Sequence, residues 1–375
     1  MEKINVVGNI WGTSGYAIHT RQLVNALAKK SEVCLLCQKI PEWERMCNDE
    51  ELLMLKRNYS ANQTMLAITM PQQWQPLLSE PNKIFLGYCV WEGTKIPTYW
   101  LDIFNNDKLN FVLVPSTHTK QAILNTIANL SIVKAAKYIG VVGKIIVIPH
   151  GVDKKLFYPK QPSADKKVFT FVSNGGWAQG INDRKGLQFL LKAFNEEFKN
   201  EEEVELVVKI NTAYCPPGWD LSQEIAKLGL DNKGGKIKIN TDLFDFDRIV
   251  DFYSMGDVYV SPTMGEAFGM PMAEAMACGL PVITTNFGGQ TDYVNAKNGW
   301  LIDFEFVENT WDNMYEGIGW AKPDKEHLKK LLREAFTNQE LVKEKGKQAL
   351  IDIEKFSWDA SAEQVLELIY KGTGI

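Results

Sequence analysis

Short apolar runs alternate with segments of helical periodicity along the chain, and this alternation constrains the fold more than any other feature. The pattern begins with an apolar run at 4–7, followed by a loop rich in glycine and a segment at 17–30 with apolar residues at helical spacing. Further apolar runs follow at 33–37, 65–69, 84–88, 110–114 and 144–148. Strands that alternate with helices predict a parallel sheet covered on both faces.

A second alternation of the same kind begins after a polar connection that ends near Lys167. Its predicted strands and helices run from 168–173 to 281–284. A chain of 375 residues is long enough for two domains. We therefore predict an α/β protein with two Rossmann-like, doubly wound domains and a ligand cleft at the carboxyl ends of their strands.

Charge and composition exclude several classes of protein. Lys and Arg number 41 against 46 Asp and Glu, so the net charge is -5 and no overall positive field would attract nucleic acid. The N-terminus lacks the pattern of a secretory signal, and no apolar run is long enough to cross a bilayer. We expect a cytoplasmic protein with reduced cysteines. Cys34 and Cys37 form a CxxC, but a strand would point them to opposite faces, so we interpret them as strand residues and not metal ligands.

The segment 261–283, SPTMGEAFGMPMAEAMACGLPVI, carries the most chemical information. Glu266 and Glu274 have seven residues between them. Pro271 fits the first position of a helix, and Gly279 fits the left-handed residue that follows its end. The N-terminus of such a helix suits a phosphate group, and we expect Glu274 in its first turn.

Two interpretations of this pair of carboxylates remain open from their spacing alone. Carboxylates beside a phosphate site suit a ligand that also offers hydroxyl groups, as sugar and ribose rings do. Alternatively, Glu274 is only a carboxylate favoured by the helix dipole and Glu266 is a solvated loop residue.

The same segment strongly resembles the signature of the retaining glycosyltransferases of family four, which have the GT-B fold. Other parts of the chain resemble further elements of that family, in the same order. These are its glycine loop and first helix at 13–27, its interdomain motif IVIPHGVDKKLF at 146–157, its phosphate-binding lysine motif DRKGLQFLLKAF at 183–194, and its C-terminal element at Phe356-Ser357-Trp358. The resemblance implies an acceptor-side domain of residues 1–153 plus 357–375 and a nucleotide-sugar domain of residues 154–356.

The resemblance also implies roles for individual residues. Glu266 and Lys185 would be catalytic, with Glu266 on the hydroxyls of the donor sugar and Lys185 on the diphosphate. Arg184 would assist Lys185, and Glu274 would bind the ribose. The remaining donor contacts would come from Phe268, Gly269, Met270, Gly12 and Gly15.

The chain departs from the family at two places. Many members carry an Arg several residues before the motif Lys, where this chain has 174–177, NGGW, so Arg184 is the candidate substitute. Many also have a His that faces the cleft, whereas 84–94 contains none. The acceptor-side candidates are therefore Tyr88, Trp91, Glu92 and His19. The glycines at 8, 12 and 15 do not fit GxGxxG, which disfavours a dinucleotide dehydrogenase.

The implied reaction is retaining transfer of a sugar from a UDP- or GDP-type donor to a hydroxyl of a glycan, lipid or small molecule. We expect no metal or other cofactor. The sequence Asp245-Phe246-Asp247 mimics a DxD metal motif, but Asp residues before an amphipathic helix favour a capping role. The alternatives are a nucleotide-sugar epimerase or hydrolase of the same fold and a non-catalytic subunit that binds sugar nucleotides. A lipid acceptor would be compatible with peripheral contact at the inner face of the membrane.

Overall fold

The structure is a computed structural model, and its described residues fall into two units. It describes residues 2–12, 14–36, 61–160, 167–212, 215–242, 246–309 and 313–373. The first unit comprises Met1–Gly151, Thr310–Ile318 and Phe356–Ile375, and the second comprises Val152–Asn309 and Gly319–Lys355. Residues 313–318 group with the first unit, whereas the domain bounds expected from the sequence place them in the second.

The first unit is built on a six-stranded parallel sheet. Its strands are β1 (Lys3–Gly8), β2 (Glu32–Leu36), β3 (Thr64–Ile68), β4 (Ile84–Tyr88), β5 (Phe111–Val114) and β6 (Ile145–Val147). Their order is β2-β1-β3-β4-β5-β6, and Ile4 of β1 pairs with Val33 on one side and Thr64 on the other. The order reverses at β1, so the loops that follow β1 and β3 lie at a topological switch point.

Helices connect these strands as the apolar periodicity predicts. They are α1 (Gly15–Ala28), α2 (Trp74–Ser79), α3 (Trp100–Phe104), α4 (Thr117–Ala128), α5 (Ile132–Lys137) and α6 (Ile139–Lys144). Trp74, Trp100 and Phe104 are fully buried among apolar strand residues such as Phe85 and Val112. Burial of such large side chains supplies most of the driving force for folding of this unit.

Residues 313–318 join the first unit through an aromatic contact. Tyr315 stacks on Trp91 with ring centroids 4.8 Å apart, and its hydroxyl donates to Glu92 Oε1 over 3.2 Å. Ile318 is buried in the same apolar cluster as Trp91. These contacts are the physical reason why the segment groups with the first unit.

The second unit repeats the architecture of the first. Its strands are β7 (Phe169–Gly176), β8 (Val204–Asn211), β9 (Lys236–Asn240), β10 (Val258–Ser261), β11 (Val282–Thr285) and β12 (Gly299–Ile302), in the order β12-β11-β10-β7-β8-β9. All their pairings are parallel. The prediction of two parallel α/β units is therefore confirmed. An antiparallel hairpin of β13 (Phe304–Glu308) and β14 (Gly319–Pro323) accompanies this sheet.

Several helices of the second unit bury an apolar face in its core. The helices of this unit are α7 (Leu187–Glu197), α8 (Leu221–Ala226), α9 (Phe246–Ser254), α10 (Met270–Ala277), α11 (Lys325–Thr337) and α12 (Gln339–Ile353). Of these, α8 is only partly buried in the core. On α7, Leu187, Leu190, Leu191 and Phe194 are buried, which follows the helical spacing of apolar residues in the sequence.

The last helix, α13 (Trp358–Thr373), packs on α1 within the first unit. Lys29 and Asp359 form an ion pair of 2.6 Å, and Ser361 donates to the carbonyl oxygen of Pro149 over 2.6 Å. Gly151 lies against the start of this helix, where a Cβ atom would come within 2.1 Å of the backbone nitrogen of Trp358. The chain can therefore dock α13 here only if residue 151 has no side chain.

We predict that Gly151→Ala destabilises the first unit by about 1–3 kcal/mol, because the added methyl group forces the backbone of α13 away. Thermal and urea unfolding of the intact chain would measure the loss. Gly140→Ala is the matched control, since no atom lies within 4 Å of its Cβ position and Ala is favoured over Gly inside a helix. Equal unfolding midpoints for the two variants would contradict the prediction.

Candidate functional site

A buried aspartate organises the loop that follows β7. Asp183 is 5% exposed, and its carboxylate accepts hydrogen bonds from the backbone N–H groups of Gln179 (3.0 Å) and Lys185 (2.8 Å). Gln188 on α7 donates to the carbonyl oxygen of Asp183 over 2.7 Å. These bonds fix the backbone of the Arg184-Lys185 pair just before α7 begins. Asp183 was not among the predicted site residues, although its place before the basic pair is the signal of a local turn.

This loop lies directly against the loop that follows β10. Gly186 has a φ of 78°, and a Cβ atom there would come within 1.9 Å of the carbonyl oxygen of Pro262. The carbonyl oxygen of Arg184 accepts hydrogen bonds from the backbone N–H of Met264 (2.7 Å) and the hydroxyl of Thr263 (3.1 Å). Only glycine combines this backbone conformation with this close approach.

The contact between the loops brings together three charged side chains. Lys185 Nζ forms an ion pair and hydrogen bond with Glu266 Oε1. Arg184 Nη1 donates to the carbonyl oxygen of Gly265 over 2.8 Å and lies 3.8 Å from Glu266 Oε1. The side chains of Arg184, Lys185 and Glu266 are 21%, 30% and 13% exposed, so water screens their charges only in part.

The balance of charge keeps Glu266 ionised. Burial raises the pKa of its carboxyl group, but the charges of Lys185 and Arg184 and the hydrogen bond from Lys185 outweigh burial and hold the pKa below its usual value. The site thus combines two cations and one carboxylate. Two cations in one place can also bind an anionic ligand.

Helix α10 begins beside this cluster. Gly269, with a φ of 89°, precedes the helix, and no side chain caps its N-terminus in the described part of the chain. Tyr293 donates its hydroxyl to the carbonyl oxygens of Phe268 (2.9 Å) and Gly269 (2.7 Å), which holds the turn in place. Phe268 is buried, whereas Met270 is partly exposed. The N-terminus offers backbone N–H groups and a partial positive charge to an anion.

Glu274 lies in the second turn of α10, and its predicted position in the first turn is wrong. The helix begins at Met270, one residue earlier than Pro271, so Glu274 is its fifth residue. Its Oε2 accepts a hydrogen bond of 2.7 Å from the hydroxyl of Tyr253 on α9. Burial raises its pKa to about 7, although the bond from Tyr253 acts in the opposite direction.

Neither Tyr253 nor its neighbours were found by sequence reasoning. The Tyr253 hydroxyl lies 3.4 Å from Asn174 Oδ1, and Tyr259 donates to the carbonyl oxygen of Asn174 over 3.2 Å. These residues come from β7, α9 and β10, which only the folded sheet brings together. A tyrosine in a helical pattern gives no local sign that its hydroxyl donates a hydrogen bond to a distant carboxylate.

In the first unit, the loop after β1 is held by a buried arginine. Arg21 on α1 donates from Nη1 to the carbonyl oxygens of Ile10 (2.6 Å) and Gly12 (2.8 Å). Gly12 has a φ of 76°, and Gly15 is the first residue of α1. The loop is therefore a fixed backbone surface at the switch point of this sheet. Thr13, where the resemblance begins, lies outside the described residues.

Three of the four acceptor-side candidates lie in the core of the first unit. Tyr88, Trp91 and His19 are each 1% exposed. His19 packs between the rings of Tyr88 and His150, with centroids 4.2 and 4.3 Å away. Side chains so deeply buried in this structure have no surface to offer an acceptor. Glu92 is partly exposed and accepts the hydrogen bond from Tyr315 described above.

Two minor predictions fall partly beyond what the structure describes. Cys34 is a buried free thiol on β2, while Cys37 lies outside the described residues. Asp245 also lies outside them, as does the side chain of Asp247. Within the ranges that the structure covers, no three His, Cys, Asp or Glu residues form a group that could hold a metal ion. Within the same ranges, no helix is long and apolar enough to cross a membrane.

Comparison with known proteins identifies the segment that carries the charged cluster. Residues 166–316 match the family model described as glycosyl transferases group 1, and this segment includes Lys185, Glu266 and Glu274. The matched segment, most of which lies in the second unit, is therefore similar to the group 1 glycosyltransferases. The matched segment contains both loops whose contact builds the site.

Curated relatives match the chain over part of their length. A probable sucrose-phosphate synthase of Thermosipho melanesiensis is 27% identical over 233 residues, which are 61% of this chain and 48% of the relative. A D-inositol 3-phosphate glycosyltransferase of Rhodococcus jostii is 34% identical over 122 residues, which are 32% of this chain and 23% of the relative. The chain thus spans about half, or less, of the length of these relatives.

Solved structures share the fold over the whole chain. Sucrose-phosphate synthase from Thermosynechococcus elongatus superposes with a TM-score of 0.69 and 17% identity over 99% of both chains. HepE of Anabaena, solved in complex with UDP and glucose, has a TM-score of 0.68 and 15% identity over 99% of this chain and 100% of its own. The two units of this chain therefore have the GT-B fold.

We predict that Glu274 makes stability fall as pH rises. Between pH 4.5, its ordinary pKa, and about 7, the folded protein holds a proton that the unfolded chain has lost, so deprotonation costs folding free energy. Glu274→Gln removes this dependence. The difference in free energy of unfolding, variant minus wild type, should therefore increase with pH across this range. The increase should be at most about 1.4 kcal/mol per pH unit.

Urea unfolding at a series of pH values would measure this difference. Tyr253→Phe is the companion variant, because loss of its hydrogen bond removes the one contact that lowers the pKa of Glu274. The pH-dependent range should then extend upwards. Parallel stability profiles for wild type and Glu274→Gln would show that the carboxyl group titrates normally.

Proposed function

We propose that this protein is a retaining glycosyltransferase that moves a sugar from a nucleotide-diphosphate sugar to a hydroxyl group of an acceptor. The observation that carries the proposal is the cluster of Lys185, Arg184 and Glu266 beside the N-terminus of α10. Cations and a free helix N-terminus suit a diphosphate, and a carboxylate beside them suits the hydroxyls of a sugar.

Donor binding would exchange the partners in this cluster. Without ligand, Lys185 is paired with Glu266. A diphosphate carries more negative charge than one carboxylate, so it would compete for the ammonium group of Lys185 and for the guanidinium of Arg184. Glu266 would then be free to accept hydrogen bonds from the donor sugar. Before the donor binds, Glu266 therefore occupies the position next to Lys185 that the diphosphate would take.

Glu274 is suited to the ribose of the nucleotide. It is the fifth residue of α10 and is partly buried. One of its carboxyl oxygen atoms already accepts the hydrogen bond from Tyr253. The other oxygen can accept a hydrogen bond from a ribose hydroxyl. The bond from Tyr253 orients the carboxyl group before the ligand binds, which reduces the entropy lost on binding.

The proposed reaction needs no nucleophile from the protein. The diphosphate leaves from the anomeric carbon, and Lys185, Arg184 and the N-terminus of α10 stabilise the charge that develops on it. An oxygen of the leaving diphosphate accepts the proton of the acceptor hydroxyl, which attacks from the same face. We propose that these groups of the chain neutralise the diphosphate without a divalent metal.

The donor is proposed to be of the UDP or GDP type, with a hexose as the transferred sugar. The HepE structures with UDP-glucose and a pneumococcal O-GlcNAc transferase structure with UDP and GlcNAc support a UDP-linked hexose. The names of the curated relatives support acceptors that are phosphorylated sugars or polyols. The proposed acceptor group is a hydroxyl of a glycan, a lipid or a small molecule.

We predict that one nucleotide family stabilises the protein against heat. A ligand present at about 100 times its dissociation constant adds about 2.7 kcal/mol to the free energy of unfolding. A thermal-shift panel of UDP, GDP and ADP and their hexose conjugates would identify the donor class. Glu274→Ala should weaken the shift with the same nucleotide, since it removes the proposed ribose contact. No shift with any nucleotide would argue against a donor site.

We also predict that Lys185→Ala lowers the rate of transfer by about 100- to 1,000-fold, because the leaving diphosphate loses its main cation. Lys192→Ala, on helix α7 that follows Lys185, is the matched control and should retain activity. Product formation from the donor found in the panel would be measured with and without EDTA, and NMR would give the anomeric configuration of the product.

A loss of activity in Lys185→Ala could come from unfolding or from loss of the proposed catalytic role, and a second variant separates these two effects. Removal of Lys185 leaves Glu266 as a partly buried charge, so the double variant Lys185→Ala/Glu266→Ala should recover thermal stability but not activity. Full transfer by Lys185→Ala, or loss of activity in EDTA that Mg²⁺ restores, would overturn the proposed roles. An inverted product would overturn the retaining reaction.

A further inference from the structure

Three phenylalanine rings of the second unit lie together at its surface. Phe304 and Phe306 are two residues apart on β13, so their side chains lie on one face of the strand. Phe287, in the turn after β11, packs against both, with ring centroids 5.6 and 5.4 Å away. We call Phe287, Phe304 and Phe306 the aromatic platform. Phe306 is 63% exposed and the other two are partly exposed, so the aromatic platform presents apolar ring surface to water.

The ring of Phe306 is held in place by its two neighbours. Its plane is inclined by 87° to the ring of Phe287 and by 76° to that of Phe304. Aromatic rings prefer such edge-to-face contacts. A ring that is already fixed by these contacts loses little conformational entropy when a ligand covers it.

The turn that carries Phe287 lies against the backbone of Glu266. The N–H of Gly289 donates to the carbonyl oxygen of Glu266 over 2.7 Å. Gly288 has a φ of 111°, and a Cβ atom there would come within 3.0 Å of the same carbonyl oxygen. Glycine allows both this conformation and this close approach. Phe287 is therefore next to a residue that touches the backbone of Glu266.

The hairpin that carries Phe304 and Phe306 is joined to the same loop. Phe306 pairs with Ala321 of β14, and the N–H of Ala321 donates to the carbonyl oxygen of Met264 over 3.0 Å. Both segments of the aromatic platform are therefore bonded to the loop that carries Glu266. The side chain of Glu266 is 13% exposed, whereas Phe306 is 63% exposed. A ligand on the aromatic platform would therefore extend from the candidate site towards water.

The size of the aromatic platform suits a small ligand better than a protein. An aromatic side chain buries about 150–250 Å² when it is fully covered. Three rings that are already partly buried offer well below the roughly 800 Å² that each partner buries in a typical protein interface. They match the size of one sugar ring.

A pyranose ring also has the matching chemistry. One of its faces presents mainly C–H groups, which water disfavours, and its edge carries hydroxyls that need polar partners such as a carboxylate. We propose that the aromatic platform is a carbohydrate subsite, on which one pyranose ring of the acceptor stacks. The role of this sugar as acceptor rests on the proposed function, whereas the stacking does not. The acceptor is then a molecule that contains a pyranose ring.

The test is saturation-transfer NMR of the full chain, with maltose and cellobiose as probes and glycerol as a compound that has hydroxyls but no ring. We expect saturation of the C–H protons on one face of a pyranose ring, and none of glycerol. Phe306→Leu keeps an apolar side chain but has no ring face, so it should bind the sugar about 3- to 10-fold more weakly. Phe306→Trp keeps a ring face and should bind like wild type.

The matched control is Ile351→Ser, which replaces a side chain that is 66% exposed on α12 and should leave sugar binding unchanged. Phe306 is also on the surface, so the thermal unfolding of its variants should stay close to that of wild type. No saturation of either sugar by wild type, or equal binding by Phe306→Leu, would overturn the proposal.

A second measurement separates this subsite from the donor site. Phe306→Leu should keep the full thermal shift with any nucleotide sugar that stabilises wild type. A shift that is lost with the nucleotide sugar but kept with the free nucleotide would assign the ring to the donor sugar and overturn the acceptor role. Sugar binding that depends on Phe306, in a chain that no nucleotide stabilises, would support the carbohydrate subsite and argue against the proposed transfer reaction.

Discussion

The pairing of β10 with β7 is the constraint on which the candidate site depends. The chain leaves β7, adds β8 and β9 on one side, and returns to place β10 on the other side. The register pairs Val258 with Phe171 and Tyr259 with Val172, so the carboxyl ends of the two strands are adjacent. The loops that follow them must then meet, and they bring Lys185 to Glu266 although 80 residues separate the two in sequence.

A half-buried ion pair of this kind is weak evidence for stability. The cost of removing both charges from water offsets much of their attraction. Arg184, also close to Glu266, adds a second cation to a single carboxylate. Two cations close to the N-terminus of α10 suit an anionic ligand, and this supports the proposed diphosphate site.

Local patterns in the sequence predicted the strands of both sheets except β12, because the strands of a parallel sheet are short, apolar and buried on both faces. The residues Lys185 and Glu266 were predicted from the resemblance to a known family. The spacing of residues alone did not show that they act in one site. The position of Glu274 was missed because the left-handed Gly269 starts α10 before Pro271. The burial of His19 and Tyr88 was missed because it depends on contacts with His150 and Trp358, far along the chain.

Both units stiffen the loop at their switch point by the same physical means. In the first unit the buried Arg21 donates to backbone carbonyl oxygens of the loop after β1. In the second unit the buried Asp183 accepts from backbone N–H groups of the loop after β7. A buried charge that is satisfied by backbone groups can keep its bonds only if the loop keeps its shape, because an unpaired buried charge costs several kcal/mol, roughly. Each loop is therefore organised before any ligand arrives, so a ligand that uses its backbone would lose little entropy on binding.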